Sequence, residues 1–318
     1  MKFYLSLFLV FSVVLNVSCQ PDTNFVPVAA YWNVGDIHDF SVIKVKRKWI
    51  GKTLAQDDSS NYNAHFLVID ADSSSYTIQW SLKNYLFDRL QLPDQSRLKL
   101  QKYDSIRVVY KTDQFGAFRE IINWRDLSKM INEMTDELIQ AIGETKAEAR
   151  EVRKSLQPLI SVFSTQRGME QLVFNELLMM HFPYGKQYEK GKRYYYTEEI
   201  PIMVNSAPAT GNGVIFIRHA NADSQRCELV KQMRILPDSV RKFLVNYYTS
   251  IGIRPEAIAS TVESSLVDVV EDDIYDYLYF PGTPLKVSVS RITRINVLED
   301  RIKQIDITMI ENTGFKSP

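Results

Sequence analysis

The chain reads as an α+β protein with long antiparallel strands in two strand-rich halves, joined by a central helical segment. Three observations predict this. Apolar and polar residues alternate with period two across 31–123 and again across 184–318, broken by clusters of Asp, Ser, Asn, Gly and Pro. Between these stretches, apolar residues recur at spacings of three and four. The 318 residues are 45% hydrophobic and 24% charged, enough to bury a core in one large domain or two smaller ones.

Residues 40–50, 63–70 and 76–82 alternate and predict a three-stranded meander, with turns at 56–60 and 70–74. Residues 105–111 and 117–122 predict a hairpin, with Gly116 supplying the positive φ of its turn. From Trp124, the positions Leu127, Met130 and Ile131, Met134, Leu138 and Ile142 line one helix face. Residues 144–154 are dense in both charges and read as a solvated helix face with local ion pairs. A further helix is expected over 165–180, with Leu172, Val173, Leu177 and Met180 on one side and Pro183 as its stop.

Strands return at 192–204, where Pro201 suggests an edge or a bulge. Residues 205–213 read as a loop, 214–219 and 227–233 as a strand pair, and 237–251 as a helix capped by Asp238 or Ser239. Residues 264–280, 285–297 and 301–310 form the expected closing meander. Trp32-Asn33-Val34-Gly35-Asp36 and Tyr188-Glu189-Lys190-Gly191-Lys192 each place a glycine between an aromatic residue and a long strand, a hint of duplication.

The N-terminus predicts the address. Lys2 precedes an apolar run over 3–15, which suits a signal-peptide core and falls short of the roughly 20 residues that span a bilayer. Val17 and Ser18 then precede Cys19, and this resembles the lipobox of bacterial lipoproteins. Asn16 departs from it, since an aliphatic residue is usual there and Leu15 stands one place early. The expectation is cleavage before Cys19 and acylation of its thiol; cleavage to a soluble secreted chain is the alternative. The chain thus divides into a signal peptide (1–18), a lipid-anchored tether (19–30), an N-terminal β-rich half (31–123), a helical connector (124–183) and a C-terminal β-rich half with one helix (184–318). Both halves can form one domain.

Lys+Arg and Asp+Glu number 38 each, so the basic surplus of a nucleic-acid binder is missing. Cys227, left alone if Cys19 is acylated, reads as a core residue in a strand. Of the four histidines, none has the helical spacing of a zinc pair, and no metal or cofactor is expected. The elbow G-x-S-x-G, the fingerprint G-x-G-x-x-G and the phosphate loop are missing from the sequence. Glu271-Asp272-Asp273 with Asp276 is the sharpest acidic cluster; it reads as a charged strand edge, with Arg291, Arg294 and Arg301 as cross-strand partners. Tyr275, Tyr277 and Tyr279 share one strand face. They either pack under a helix or line a surface for an apolar or sugar ligand.

The layout, with Asp113-Gln114-Phe115-Gly116-Ala117-Phe118 and Asn123-Trp124 before a helix, resembles uncharacterised lipoproteins of Gram-negative bacteria. It is also similar to the curved half-barrel of periplasmic lipoprotein carriers. The resemblance implies a fold and carries no functional residues over. The functional expectation is an exported protein of the outer membrane or periplasmic face, held by lipid at Cys19. It would bind an apolar small molecule or lipid, or an envelope protein, without catalysis. The alternatives are an envelope hydrolase with a site assembled from distant residues, and a component of a surface assembly.

Overall fold

A computed structural model describes residues 24–83, 93–142, 145–200, 209–250, 266–297 and 300–314. Among these, the strands in chain order are β1 (Phe25–Val28), β2 (Ile37–Ile50), β3 (Thr53–Ala71), β4 (Ser75–Lys83), β5 (Ser105–Asp113), β6 (Phe118–Ile121), β7 (Lys186–Glu189), β8 (Arg193–Ile200), β9 (Ala209–Asn221), β10 (Arg226–Ile235), β11 (Leu266–Leu278), β12 (Thr283–Val297) and β13 (Asp300–Asn312). The helices are α1 (Asp94–Leu100), α2 (Trp124–Ile142), α3 (Lys146–Phe163), α4 (Gln166–Gly168), α5 (Asn175–His181) and α6 (Pro237–Ser250).

β1 pairs with β7 in a small sheet. The other eleven strands form one antiparallel sheet in the order β6-β5-β4-β3-β2-β13-β12-β11-β10-β9-β8. Its seam is β2 against β13, paired from Phe40↔Asn312 to Ile50↔Ile302. The sheet is not closed. Among the described residues strand far outweighs helix, so the described fold is mainly β, which corrects the α+β expectation. The difference arises because cross-strand pairing extends several strands well past their alternating stretches.

Period two decides which face is buried. Phe66, Trp80 and Val108 are cross-strand neighbours, as are Val68, Ile78 and Tyr110, and all are buried. A further row on the same face runs through Tyr62, Val42, Ile310, Val287 and Tyr275. Leu127 and Ile131 of α2 and Leu177 and Met180 of α5 close over this face. Each large side chain so buried contributes about 1.5–3 kcal/mol. A second, smaller cluster joins Val240 of α6 to Met233, Ile235, Val267 and Val269.

Side-chain locks set the connections. Asn123 ties the chain ahead of α2 to β5: its Oδ1 accepts from the Val109 amide at 2.8 Å and its Nδ2 donates to the Arg107 carbonyl at 2.9 Å. Thr145 and Glu148 form a capping box at the start of α3. His181 is buried; its Nδ1 bonds the Gly116 carbonyl at 2.7 Å and its Nε2 the Tyr110 hydroxyl at 2.9 Å.

Several local expectations change. The turn expected at 56–60 lies inside the first half of β3, and the chain reverses at Gly51-Lys52 instead. Pairing overrides turn propensity there, because Asp57 and Asp58 lie opposite Arg47 and Lys46, and Arg47 Nε reaches Asp57 at 2.9 Å. The single helix expected over 165–180 is broken into α4, a π-helical stretch over Met169–Val173, and α5, with Phe174 at φ −118° and ψ 40° between the last two. Residues 209–213, expected as loop, belong to β9. The acidic cluster is not at an edge, since β11 lies between β10 and β12. Pro201, Ile251 and the first residues of the stretch 264–280 lie outside the described residues.

Candidate functional site

The helix-covered face changes character along the strands. Under α5 the cross-strand row is apolar: Val42, Ile310, Val287, Tyr275 and Leu229. Two residues further along each strand it becomes mixed, reading Lys44, Thr308, Val289, Asp273 and Lys231. The next row alternates in sign over five adjacent strands: Asp58, Lys46, Asp306, Arg291 and Glu271. Met233 ends that row on β10, and with Ile235, Val267 and Val269 beyond it packs under α6. The two charged rows therefore fall in the gap between the α5 and α6 covers. A cleft of about 870 Å³ opens there, walled on one side by Leu178, Met179 and Phe182.

At the deep end, Lys231 is buried and holds three carboxylates. Its Nζ lies 3.1 Å from Glu271, 3.4 Å from Asp273 and 3.9 Å from Glu198. Arg291 adds two hydrogen bonds to Glu271, at 2.9 and 2.5 Å. Burial would neutralise Glu271, but the Arg291 and Lys231 cations outweigh it and hold the carboxyl below its ordinary range. Asp273 behaves in the opposite way. Burial and the neighbouring Glu271 charge push its carboxyl up to about 7, against the pull of Lys231. Burial lowers the Lys231 pKa, but Glu271 and Asp273 more than offset that, and the amine is raised.

Asp273 Oδ2 accepts from the Tyr275 hydroxyl at 3.2 Å, while the buried Oδ1 has no hydrogen-bond partner. An unsatisfied carboxyl oxygen beside a cleft is a point where a ligand polar group completes the network. On the far side, Glu176 of α5 is 2% exposed and accepts from Lys44 Nζ at 2.8 Å and from the Tyr62 hydroxyl at 2.6 Å. This pair fastens α5 to β2 and β3. Lys46, at the cleft mouth, is exposed.

The tyrosines named from the sequence separate. Tyr275 lines the cleft, stacked on Phe182 with ring centroids 5.2 Å apart. Tyr277 is buried in the core, where its hydroxyl donates to the Met180 carbonyl. Tyr279 lies in the turn after β11, its hydroxyl 3.4 Å from the Asn221 carbonyl. Cys19 lies outside the described residues. Cys227 is buried, and burial pushes its thiol up to about 12.

The histidines do not converge. His65 pairs with Asp39 at 2.7 Å, His181 is in the core, and His219 is exposed on β9. Among the described residues, no group of three or more His, Cys, Asp or Glu is placed to hold a metal ion. Of the three arginines expected to partner the acidic cluster, Arg291 pairs with Glu271, whereas Arg294 pairs with Asp268, outside the cluster. Arg301 faces Asn296. Sequence reasoning missed Lys231, Lys44 and Lys46. A signal was present for the first: Leu229, Lys231 and Met233 share one strand parity, so a lysine sits where alternation demands a buried residue.

No protein-family model matches the chain, and no curated protein is significantly similar to it in sequence.

Proposed function

We propose that this chain is an exported, lipid-anchored protein of the cell envelope, held at the outer membrane or periplasmic face through Cys19, that binds an amphiphilic ligand without transforming it. The cleft carries this reading. Its volume of about 870 Å³ suits a small-molecule ligand. Leu178, Met179 and Phe182 supply a wall for an apolar body, and the charged rows supply partners for a polar head. The open eleven-stranded sheet, taken as a curved half-barrel, is the frame that holds both. A purely apolar ligand fits less well, because Asp273 Oδ1 would stay unsatisfied beside it.

The test is mass spectrometry of organic extracts from protein purified out of envelopes. An amphiphile recovered with wild type and depleted at least tenfold in Thr308→Trp, which fills the cleft floor, is the expected result. Extracts that are empty for both, or equal for both, overturn the reading. Palmitate labelling that is present in wild type and lost in Cys19→Ala tests the anchor separately.

A second reading, an envelope hydrolase, is favoured by the opposed carboxyls: an ionised Glu271 beside an Asp273 that holds its proton near neutral pH. It predicts release of soluble fragments from envelope fractions by wild type and none by Asp273→Asn.

A further inference from the structure

The sheet has one rim where the β3–β4, β5–β6, β9–β10 and β11–β12 turns meet the start of β2. Six large apolar side chains stand exposed there: Tyr31, Val34, Ile37, Ile69, Phe115 and Phe280. One ring contact and three backbone bonds bring their loops together. The Tyr31 ring lies 5.2 Å from that of Phe280, and the Tyr31 amide donates to the Pro281 carbonyl. The Ala30 amide donates to the Phe115 carbonyl, and the Gly35 amide to that of Val68. Nor is the loop loosely held: Trp32 Nε1 and the Tyr184 hydroxyl both donate to the Gly282 carbonyl, at 3.0 and 2.7 Å. Tyr31 and Phe280, in contact, and Phe115, on the loop bonded to Ala30, put three half-exposed aromatics on one braced rim, and exposed apolar groups gathered in this way mark contact surfaces.

We propose that this rim seats in the interface of a lipid bilayer, with Tyr31, Phe115 and Phe280 at headgroup depth. Aromatic side chains favour that layer, and an acylated Cys19 would hold the chain beside it. The inference rests on the reading of Cys19 as the attachment point, and chain length favours the bilayer over a protein partner. Five residue steps separate Cys19 from Asn24, a reach of at most about 18 Å. β1 then runs from Phe25 to the rim, its four residues rising about 13 Å. That reach exceeds the rise of β1, so the length between Cys19 and Asn24 allows the anchor and the aromatics to meet one membrane plane. Asp36 and Asp72 on the same loops accept from nearby backbone amides, and their charge favours zwitterionic over anionic headgroups.

Every described element follows residue 23, so a chain beginning at Cys19 keeps the whole described fold. That chain is coupled through the Cys19 thiol to maleimide lipid in phosphatidylcholine vesicles containing brominated acyl chains; buried Cys227 does not compete. Two reporters are compared with the parent: Phe280→Trp at the rim and Leu54→Trp at the opposite end of the sheet, about 40 Å away along β2. The expected result is a loss of about half of the added emission for Phe280→Trp and no loss for Leu54→Trp. Equal quenching of both reporters, or none at the rim, overturns the proposal. So does a dimer of the uncoupled parent that becomes monomeric in Tyr31→Ser/Phe280→Ser, which would make the rim a self-association surface. Coupling supplies the anchor chemically, so failure of palmitate labelling in cells would refute acylation of Cys19 and leave this measurement standing.

Discussion

Asp273 makes the stability of this protein depend on pH in a way that one substitution isolates. In the unfolded chain its carboxyl titrates near 3.8; in the fold it titrates near 7, because burial and the Glu271 charge disfavour the ionised form. The native state therefore binds one proton more than the unfolded state between those values, and stability falls as pH rises through them. From pH 5 to pH 7 that is one proton over two pH units, at about 1.4 kcal/mol per unit. Wild type should lose roughly 2–3 kcal/mol from this group between pH 5 and pH 8. Asp273→Asn keeps the volume and the bonds to Lys231 and Tyr275 but cannot ionise, so it lacks that slope. Glu271, held below its ordinary range, is ionised in the fold, and in the unfolded chain it loses its last protons just above about pH 5, so it adds little slope, of the opposite sign. His181 and His38, both lowered by burial, give the opposite slope, but they are common to both proteins and cancel in the difference. The assay is urea denaturation followed by fluorescence of the buried Trp32 and Trp80, run at pH 5 and pH 8. The stability of Asp273→Asn minus that of wild type should rise by about 2–3 kcal/mol from the lower to the higher pH. A difference that stays constant within about 0.5 kcal/mol would refute the claim that Asp273 is buried as a neutral acid beside an ionised Glu271.

Three further outcomes follow from the packing. His181 is held neutral, its pKa lowered to about 4 by burial, so the stability it contributes is present above pH 6.5 and lost as pH falls towards 4. The loss is roughly 3 kcal/mol, and thermal melts of His181→Gln across pH 4–7 should show a flatter acid limb than wild type. Asn123→Ala removes the bonds to the Val109 amide and the Arg107 carbonyl and should lower stability by about 1–3 kcal/mol in urea titrations. Gly282→Ala places a Cβ 2.0 Å from the Ala29 carbonyl oxygen at a φ of +80°. It should cost more than about 3 kcal/mol, seen as a sharp drop in Tm, whereas Gly191→Ala, in open space at a similar φ, should cost only about 1 kcal/mol.

Much of the fold is legible locally. Alternation marks the cores of β2, β4 and β5, Gly116 marks the β5–β6 turn at φ +90°, and the three-and-four spacing marks α2 from its first residue. Failures occur where a partner strand outvotes local propensity. Gln56-Asp57-Asp58-Ser59-Ser60 has turn chemistry, yet it lies in β3 because β2 presents Lys46 and Arg47 opposite Asp58 and Asp57. The candidate site is legible only in fragments. Tyr275 and Arg291 are named by strand parity and charge, whereas Lys44 and Lys46 on β2 look like ordinary surface residues of an alternating strand.

The sequence by itself determined the elements whose signals span a few neighbouring residues: the strand cores, the hairpin glycine and the spaced apolar face of α2. Only the tertiary structure decided the register that sets β2 beside β13, more than two hundred and fifty residues away in the chain, and with it the alternating row from Asp58 to Glu271. The reason is physical. A strand's own period says which residues share a face, but which residue lies opposite is fixed by pairing across the whole sheet. The cleft, its buried Lys231 and the unsatisfied oxygen of Asp273 exist only once that pairing is made.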